Sequence, residues 1–233
     1  VIEHDVEQGS EAWLRVRAGI PTSSMFDKIV TKSGAASKSA TKYMNELLAE
    51  RMMGHPLEEH VSLWMMRGRE LEAEAVLFYE AQRNLDTKRI GFITNDDGTI
   101  GTSPDRAVGA DGLVELKVPA PHTHVHYLLA RELDAEYRPQ VQGQLWLTER
   151  KWVDLCSYHP EMPKALIRVE RDEGFIKILR EHVTAFSLEL EAMARECKRR
   201  GWIPEESRAQ TFDKLSQMLR STRRAEDESL SFE

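Results

Sequence analysis

The sequence predicts a mixed α/β fold of the α+β kind, a mixed sheet flanked by helices. Three observations predict it. Helical patterning dominates residues 10–83, strand-like segments cluster between 88 and 118, and a long amphipathic stretch follows at 172–199. In order, Ser10 to Arg17 reads as a short helix capped by serine and stopped by Gly19 and Pro21. Thr22-Ser23-Ser24 caps a second short helix, Met25 to Val30, and Thr31 to Ser39 is a polar, flexible loop carrying two lysines. Tyr43 to Met53 is helical and closes at Gly54-His55-Pro56, and a longer helix runs from Ser62 to Arg83. Strands are expected at 88–95, 99–104 and 113–118. Helices then run from Pro121 to Arg131 and from Glu136 to Thr148, followed by strands at 151–158 and 165–171. The last helix, Asp172 to Arg199, places Phe175, Ile178, Leu179, Val183, Phe186, Leu190 and Met193 on one stripe.

At 233 residues the chain is long enough for one full core, expected over 1–203. Residues 204–233 are poor in large apolar side chains and alternate basic and acidic clusters, as in an appendage or flexible tail. No run approaches the roughly 18 apolar residues of a membrane span, and no signal-peptide pattern opens the chain. The absent initiator methionine points to a trimmed or partly ordered amino terminus. Cys156 and Cys197 lie far apart in apolar surroundings, as structural thiols of a reducing cytoplasm do, and are too few for an iron–sulfur cluster. The net charge of −7 argues against nucleic acid, but it is uneven. Between Arg15 and Lys42 stand six basic residues and one acid, Asp27, enough for a local phosphate-binding surface.

The chemistry concentrates at Asp105, Glu115 and Lys117. Glu115 and Lys117 point to one face of the strand, and Gly109, Asp111 and Gly112 supply the reversal that brings Asp105 back beside Glu115. Two hard oxygen ligands beside an ammonium are what a Mg²⁺-dependent phosphodiester cutter needs. Spacing alone favours a turn acid and a solvated strand face. However, Leu113, Val114, Leu116 and Val118 make the strand apolar on both faces, and buried charges need partners or a metal. On the long helix, Glu72 falls inside the stripe of Leu71, Ala75, Phe78 and Tyr79, where an acid is either locally paired or part of a site. Tyr137, Gln140 and Gln144 share a helix face opposite Val141, Leu145 and Thr148; periodicity favours a polar outer face there. His122 and His126 stand at i, i+4 without a third ligand on that face, which argues against zinc. Gly-Thr-Ser-Pro lacks the glycines of a phosphate loop.

Together these residues resemble the phage lambda exonuclease group, the YqaJ-type viral recombinase nucleases of the PD-(D/E)xK superfamily. The likeness runs from Val6-Glu-Gln-Gly-Ser-Glu-Ala-Trp13 through Arg17 and Thr22-Ser-Ser24. It continues through Gly68-Arg-Glu-Leu-Glu72, Ser103-Pro-Asp105, Glu115-Leu-Lys117, Gln140-Val-Gln142 and Trp146 to Val169-Glu-Arg-Asp172. The usual glutamine-x-x-x-tyrosine pattern is broken by Gln144. The resemblance implies a restriction-endonuclease-like core and a cytoplasmic enzyme of a bacterial host. It would be a homotrimeric ring on double-stranded DNA ends, degrading one strand 5′ to 3′ to mononucleotides. The 3′ single strand would pass to a single-strand annealing protein for recombination. By position, Asp105, Glu115 and the Leu116 carbonyl would hold one Mg²⁺, and Asp105 with Glu72 a second, with Mn²⁺ as a substitute. Lys117 and Gln140 would position or activate water, and Arg17 with Thr22, Ser24 and Lys42 would take the 5′ phosphate and DNA. The alternatives are a non-cutting scaffold that binds DNA ends and a restriction-type endonuclease.

Overall fold

The computed structural model describes residues 1–57 and 63–203. The expected appendage at 204–233 and the expected helix start at Ser62 lie outside the described residues. β1 (Ile2–His4) leads into α1 (Glu11–Arg17), which begins as expected, with the Ser10 hydroxyl accepting the Trp13 N–H at 3.2 Å. The second segment is a 3-10 helix over Ser23–Lys28 rather than a helix over 25–30, and Thr22 gives it no side-chain cap. The Thr22 hydroxyl is turned to Ser24 Oγ instead, at 3.2 Å. α2 (Ala40–Met53) ends at Gly54, whose φ of 75° suits glycine, and α3 (Leu63–Arg83) follows.

The expected strand at 88–95 is broken in two. β2 (Lys88–Arg89) and β3 (Phe92–Thr94) join different sheets. Gly91 lies between them, where a Cβ would stand 2.4 Å from the His4 carbonyl oxygen and 2.6 Å from that of Val6. Only glycine passes the amino-terminal segment so closely. β4 shrinks to Gly101–Thr102, and a separate β5 (Arg106–Val108) precedes β6 (Gly112–Lys117). After β6 come α4 (Pro121–Ala130), a 3-10 turn (Ala135–Tyr137) and α5 (Arg138–Thr148). β7 (Trp152–Ser157), β8 (Ala165–Glu170) and α6 (Glu173–Arg199) complete the described chain.

β1, β3 and β4 form a small antiparallel sheet, and the larger sheet runs β2-β5-β6-β7-β8. β6 and β7 are parallel and the other pairs antiparallel, so the sheet is mixed, with α4 and α5 in the parallel crossover. The register puts Leu113, Glu115 and Lys117 on one face with Val153, Leu155 and Ser157. There Leu113 and Val153 pack on Val141 and Leu145 of α5 and Ile176 of α6. On the opposite face, Val114 and Cys156 pack on Tyr79 of α3. A further core joins Phe26 of the first 3-10 helix to Tyr43 and Leu47 of α2 and Leu179, Val183 and Leu190 of α6. The α6 stripe holds in its centre but not at its margins. Ile178 and Met193 are 39% and 41% exposed, while Ile176, Ala194 and Cys197 are buried in their stead.

Candidate active site

The hairpin between β5 and β6 turns through Gly109, at φ 52°, and pairs Arg106 with Val114. One step along the same register, Asp105 stands across from Glu115. The reversal read from Gly109, Asp111 and Gly112 is therefore the one that forms. The Leu116 N–H donates to Asp105 Oδ2 at 2.7 Å. Glu115 is only 5% exposed, and three side chains serve its carboxylate. Lys117 Nζ and Gln140 Nε2 reach Oε1 at 2.8 and 2.6 Å, and Gln144 Nε2 reaches Oε2 at 2.7 Å. The Lys117 ammonium also lies over the Tyr137 ring, 5.0 Å from its centroid.

The Gln140/Gln144 face is thus not the outer face that periodicity favours. Gln144 is 1% exposed. The reason lies in the sheet: both amides turn onto Glu115 of β6, while the Phe26 ring, 2.5 Å from where a Gly143 Cβ would stand, covers a further side of α5. A helix enclosed on several sides has little solvent face to offer its polar residues. One acceptor is stranded by this enclosure: Gln144 Oε1 is buried without a hydrogen-bond partner among the described residues.

Burial, and then the charge of Glu115, push the Asp105 carboxyl well above the usual carboxylate range. Glu72 adds to that repulsion. It comes from α3, on the opposite face of the sheet, and is half-buried. Among the described residues, no three histidine, cysteine, aspartate or glutamate side chains converge on one point, so Glu72 enters as a charge rather than as a formed third ligand. For Lys117, burial alone would lower the pKa. The adjacent Glu115 charge outweighs it and holds the ammonium above its ordinary value.

The second predicted group also assembles. The Arg17 guanidinium lies 3.8 Å over the Trp13 ring, with NH2 3.4 Å from both Thr22 Oγ1 and Ser24 Oγ. Glu11 pairs with Arg15, not with Arg17. Two links tie this pocket to the chain entering Asp105: Trp13 Nε1 donates to Ser103 Oγ at 2.9 Å, and Ser23 Oγ meets Thr102 Oγ1 at 2.7 Å. Sequence reasoning missed these links, since nothing in local spacing pairs residues 13 and 103. Lys42 stands apart, 83% exposed and 3.7 Å from Glu46. The basic surplus of residues 15–42 is largely neutralised. Lys28 pairs with Asp27, and Arg15, Lys32 and Lys42 find Glu11, Glu136 and Glu46 from outside the window.

The remaining candidates join neither group. His122 and His126 are exposed, whereas His124 is fully buried between Ser157 Oγ at 2.7 Å and the Pro163 carbonyl at 2.8 Å. Burial pushes the Cys156 thiol up to about 12, which keeps it unreactive.

The family model of the YqaJ-like viral recombinase domain matches residues 12–151, the span that holds every residue of both groups. The chain belongs to the YqaJ-like viral recombinase family. Two solved structures agree with it at a TM-score of 0.74, covering 82% of this chain and 98% of theirs. They are the alkaline exonuclease LHK-Exo from Laribacter hongkongensis, at 32% identity, and LHK-Exo in complex with dAMP, at 34%. A phage-related exonuclease from Haemophilus somnus 129PT has the same fold, with a TM-score of 0.60, 17% identity and coverage of 76% and 96%. No curated protein sequence matches the chain. In this YqaJ-like chain, no helix among the described residues is long and apolar enough to cross a membrane.

Proposed function

We propose that this chain is a Mg²⁺-dependent exonuclease on linear double-stranded DNA. It degrades one strand 5′ to 3′, releases mononucleotides and leaves a 3′ single strand for annealing-based recombination. The observation that carries this reading is the Asp105–Glu115 pair with Lys117 and Gln140 gathered on it. The 34% identity to an alkaline exonuclease over 82% of the chain supports the same reading.

Two facing carboxylates that repel one another suit a hard dication, because Mg²⁺ takes one or two carboxylates and leaves its other positions to water and phosphate oxygens. Asp105, Glu115 and the Leu116 carbonyl would hold one ion. A second would draw on Asp105 and on Glu72 swung in from α3. Bound there, Mg²⁺ or Mn²⁺ supplies Lewis-acid stabilisation of the phosphate and a more acidic water. The protein's own part is placement. Gln140 and Lys117 share Glu115 Oε1 and so fix where a water can sit, while the Lys117 ammonium offers positive charge to a phosphoryl oxygen. Arg17, with the Thr22 and Ser24 hydroxyls, takes the 5′-terminal phosphate through the guanidinium fork. The same reading carries a homotrimeric ring around the duplex, a single-strand annealing partner and work in the bacterial host cytoplasm.

End-labelled linear duplex bearing a 5′ phosphate or a 5′ hydroxyl tests the proposal. Mononucleotides should appear only with Mg²⁺, and faster from phosphorylated ends. Arg17→Ala should erase most of that preference, at about 2–4 kcal/mol on the phosphorylated substrate. Discrete internal fragments, or digestion that survives a chelator, would overturn the reading.

A further inference from the structure

The loop between Arg17 and Thr22 is held by one face of α2. Gly19 sits at its centre, with φ 68°, and its backbone is gripped at both ends by consecutive side chains. Glu50 Oε2 accepts the Gly19 N–H at 2.7 Å, and Arg51 Nε donates to the Gly19 carbonyl at 2.8 Å. About two turns earlier on α2, the buried Tyr43 hydroxyl accepts the Thr22 N–H at 3.3 Å. Residues 43, 50 and 51 fall at i, i+7 and i+8, so a single helix face carries all three. Arg51 is itself anchored: its side chain is 7% exposed and its guanidinium bonds Glu191 of α6 at 2.6 Å. The fit leaves no slack, since a Cβ on Gly19 would stand 2.4 Å from Arg51 Cγ.

A buried ion pair is a poor way to gain stability, because desolvation offsets most of the attraction. Here the arginine spends one edge on Glu191 and turns its Nε to a loop carbonyl. That is an arrangement for fixing position. We infer that Glu50, Arg51 and Tyr43 are positioning residues, which set the backbone of residues 18–24 so that Arg17, Thr22 and Ser24 converge on a terminal phosphate. This inference rests on the 5′-phosphate reading above and names the part of the protein that enforces it.

The test compares kcat and KM on 5′-phosphate and 5′-hydroxyl duplex for the full chain with Mg²⁺. It uses Arg51→Met/Glu191→Leu, which swaps the ion pair for apolar side chains and so avoids an unpaired buried charge. The preference for phosphorylated ends should fall at least tenfold, mainly through KM on that substrate, with Tm within a few degrees of wild type. Arg51→Lys should restore part of it, and Tyr43→Phe should cost about threefold. Val183→Ala, in the core of α6, is the control: it should lower Tm and leave the preference intact. A double variant within twofold of the wild-type preference would overturn the inference, as would an equal loss in Val183→Ala. A wild type indifferent to the 5′ phosphate would sink the phosphate reading itself. Amide exchange over residues 18–24 then decides the clamp alone, because faster exchange in the double variant supports it and unchanged exchange refutes it.

Discussion

α5 and α6 pack against one another, yet they treat polar side chains in opposite ways. Apart from Glu191, which pairs with Arg51, α6 keeps its charges toward water and buries Phe175, Leu179, Val183, Phe186 and Leu190 along one side. α5 has no such division. Gln142 and Gln144 are 2% and 1% exposed, and Gln140 and Gln144 both spend their amides on a single buried glutamate. Amphipathic periodicity is a statement about which side meets solvent, and it fails where a helix is enclosed. α6 is built to hold the fold. α5 is built to hold Glu115.

The contrast breaks most sharply at that glutamate. Glu115→Ala should slow digestion of linear duplex by about a thousandfold, ~4 kcal/mol of transition-state stabilisation, while end binding survives. Near-normal turnover would show that the α5 amides serve folding alone. On α6 the matching experiment is Leu190→Ala, at a fully buried position. It should cost about 2–5 kcal/mol in urea denaturation and leave the activity of the folded molecules unchanged.

A smaller effect separates the two helices more finely. Gln144→Leu removes one hydrogen bond to a carboxylate but also removes the stranded Oε1, and these losses and gains of stability nearly cancel. Stability should therefore stay within about 1 kcal/mol of wild type, while activity falls about tenfold to a hundredfold, as for residues that orient a metal ligand. A variant that loses stability and keeps activity would put α5 in the same class as α6.

The smallest effect lies where the helices meet. Asp172 caps α6 through the Phe175 N–H at 3.0 Å and takes Arg138 of α5 at 2.6 Å, and these partners hold its carboxyl below the usual range. A depressed folded pKa gives stability that is present above the ordinary aspartate range. That stability is lost as pH falls through the folded value. Asp172→Ala should cost about 1 kcal/mol near neutral pH. Asp172→Asn should keep much of the cap and flatten the acid limb of the stability curve below pH 4. An unchanged acid limb in the asparagine variant would mean that Asp172 contributes nothing there.

What was legible in the sequence follows the range of the interactions. Ser10, Gly54 and Asp172 mark helix ends because a cap is settled within four residues. The Asp105–Glu115 approach was legible because a hairpin is local and its turn residues announce it. The break at Gly91 was not, because what forbids a side chain there is the distant backbone of His4 and Val6. Local periodicity puts Gln144 on the outside because its partner, Glu115, lies 29 positions earlier in the chain. Likewise the positive stretch at 15–42 looked richer than it is, since Glu136 comes to Lys32 only in the folded chain.

Gly143 faces the 3-10 helix that begins beside Ser24, while Gln140 and Gln144 on the same helix hold Glu115. The missing side chain therefore works as a gauge block: a single hydrogen atom sets the spacing between the two ends of the apparatus. A methyl group there would act as a wedge. It would drive Phe26 outward, carry the hydroxyl-bearing segment with it and lengthen the gap between the acid corner and the Arg17 end, with no side chain of the acid corner altered.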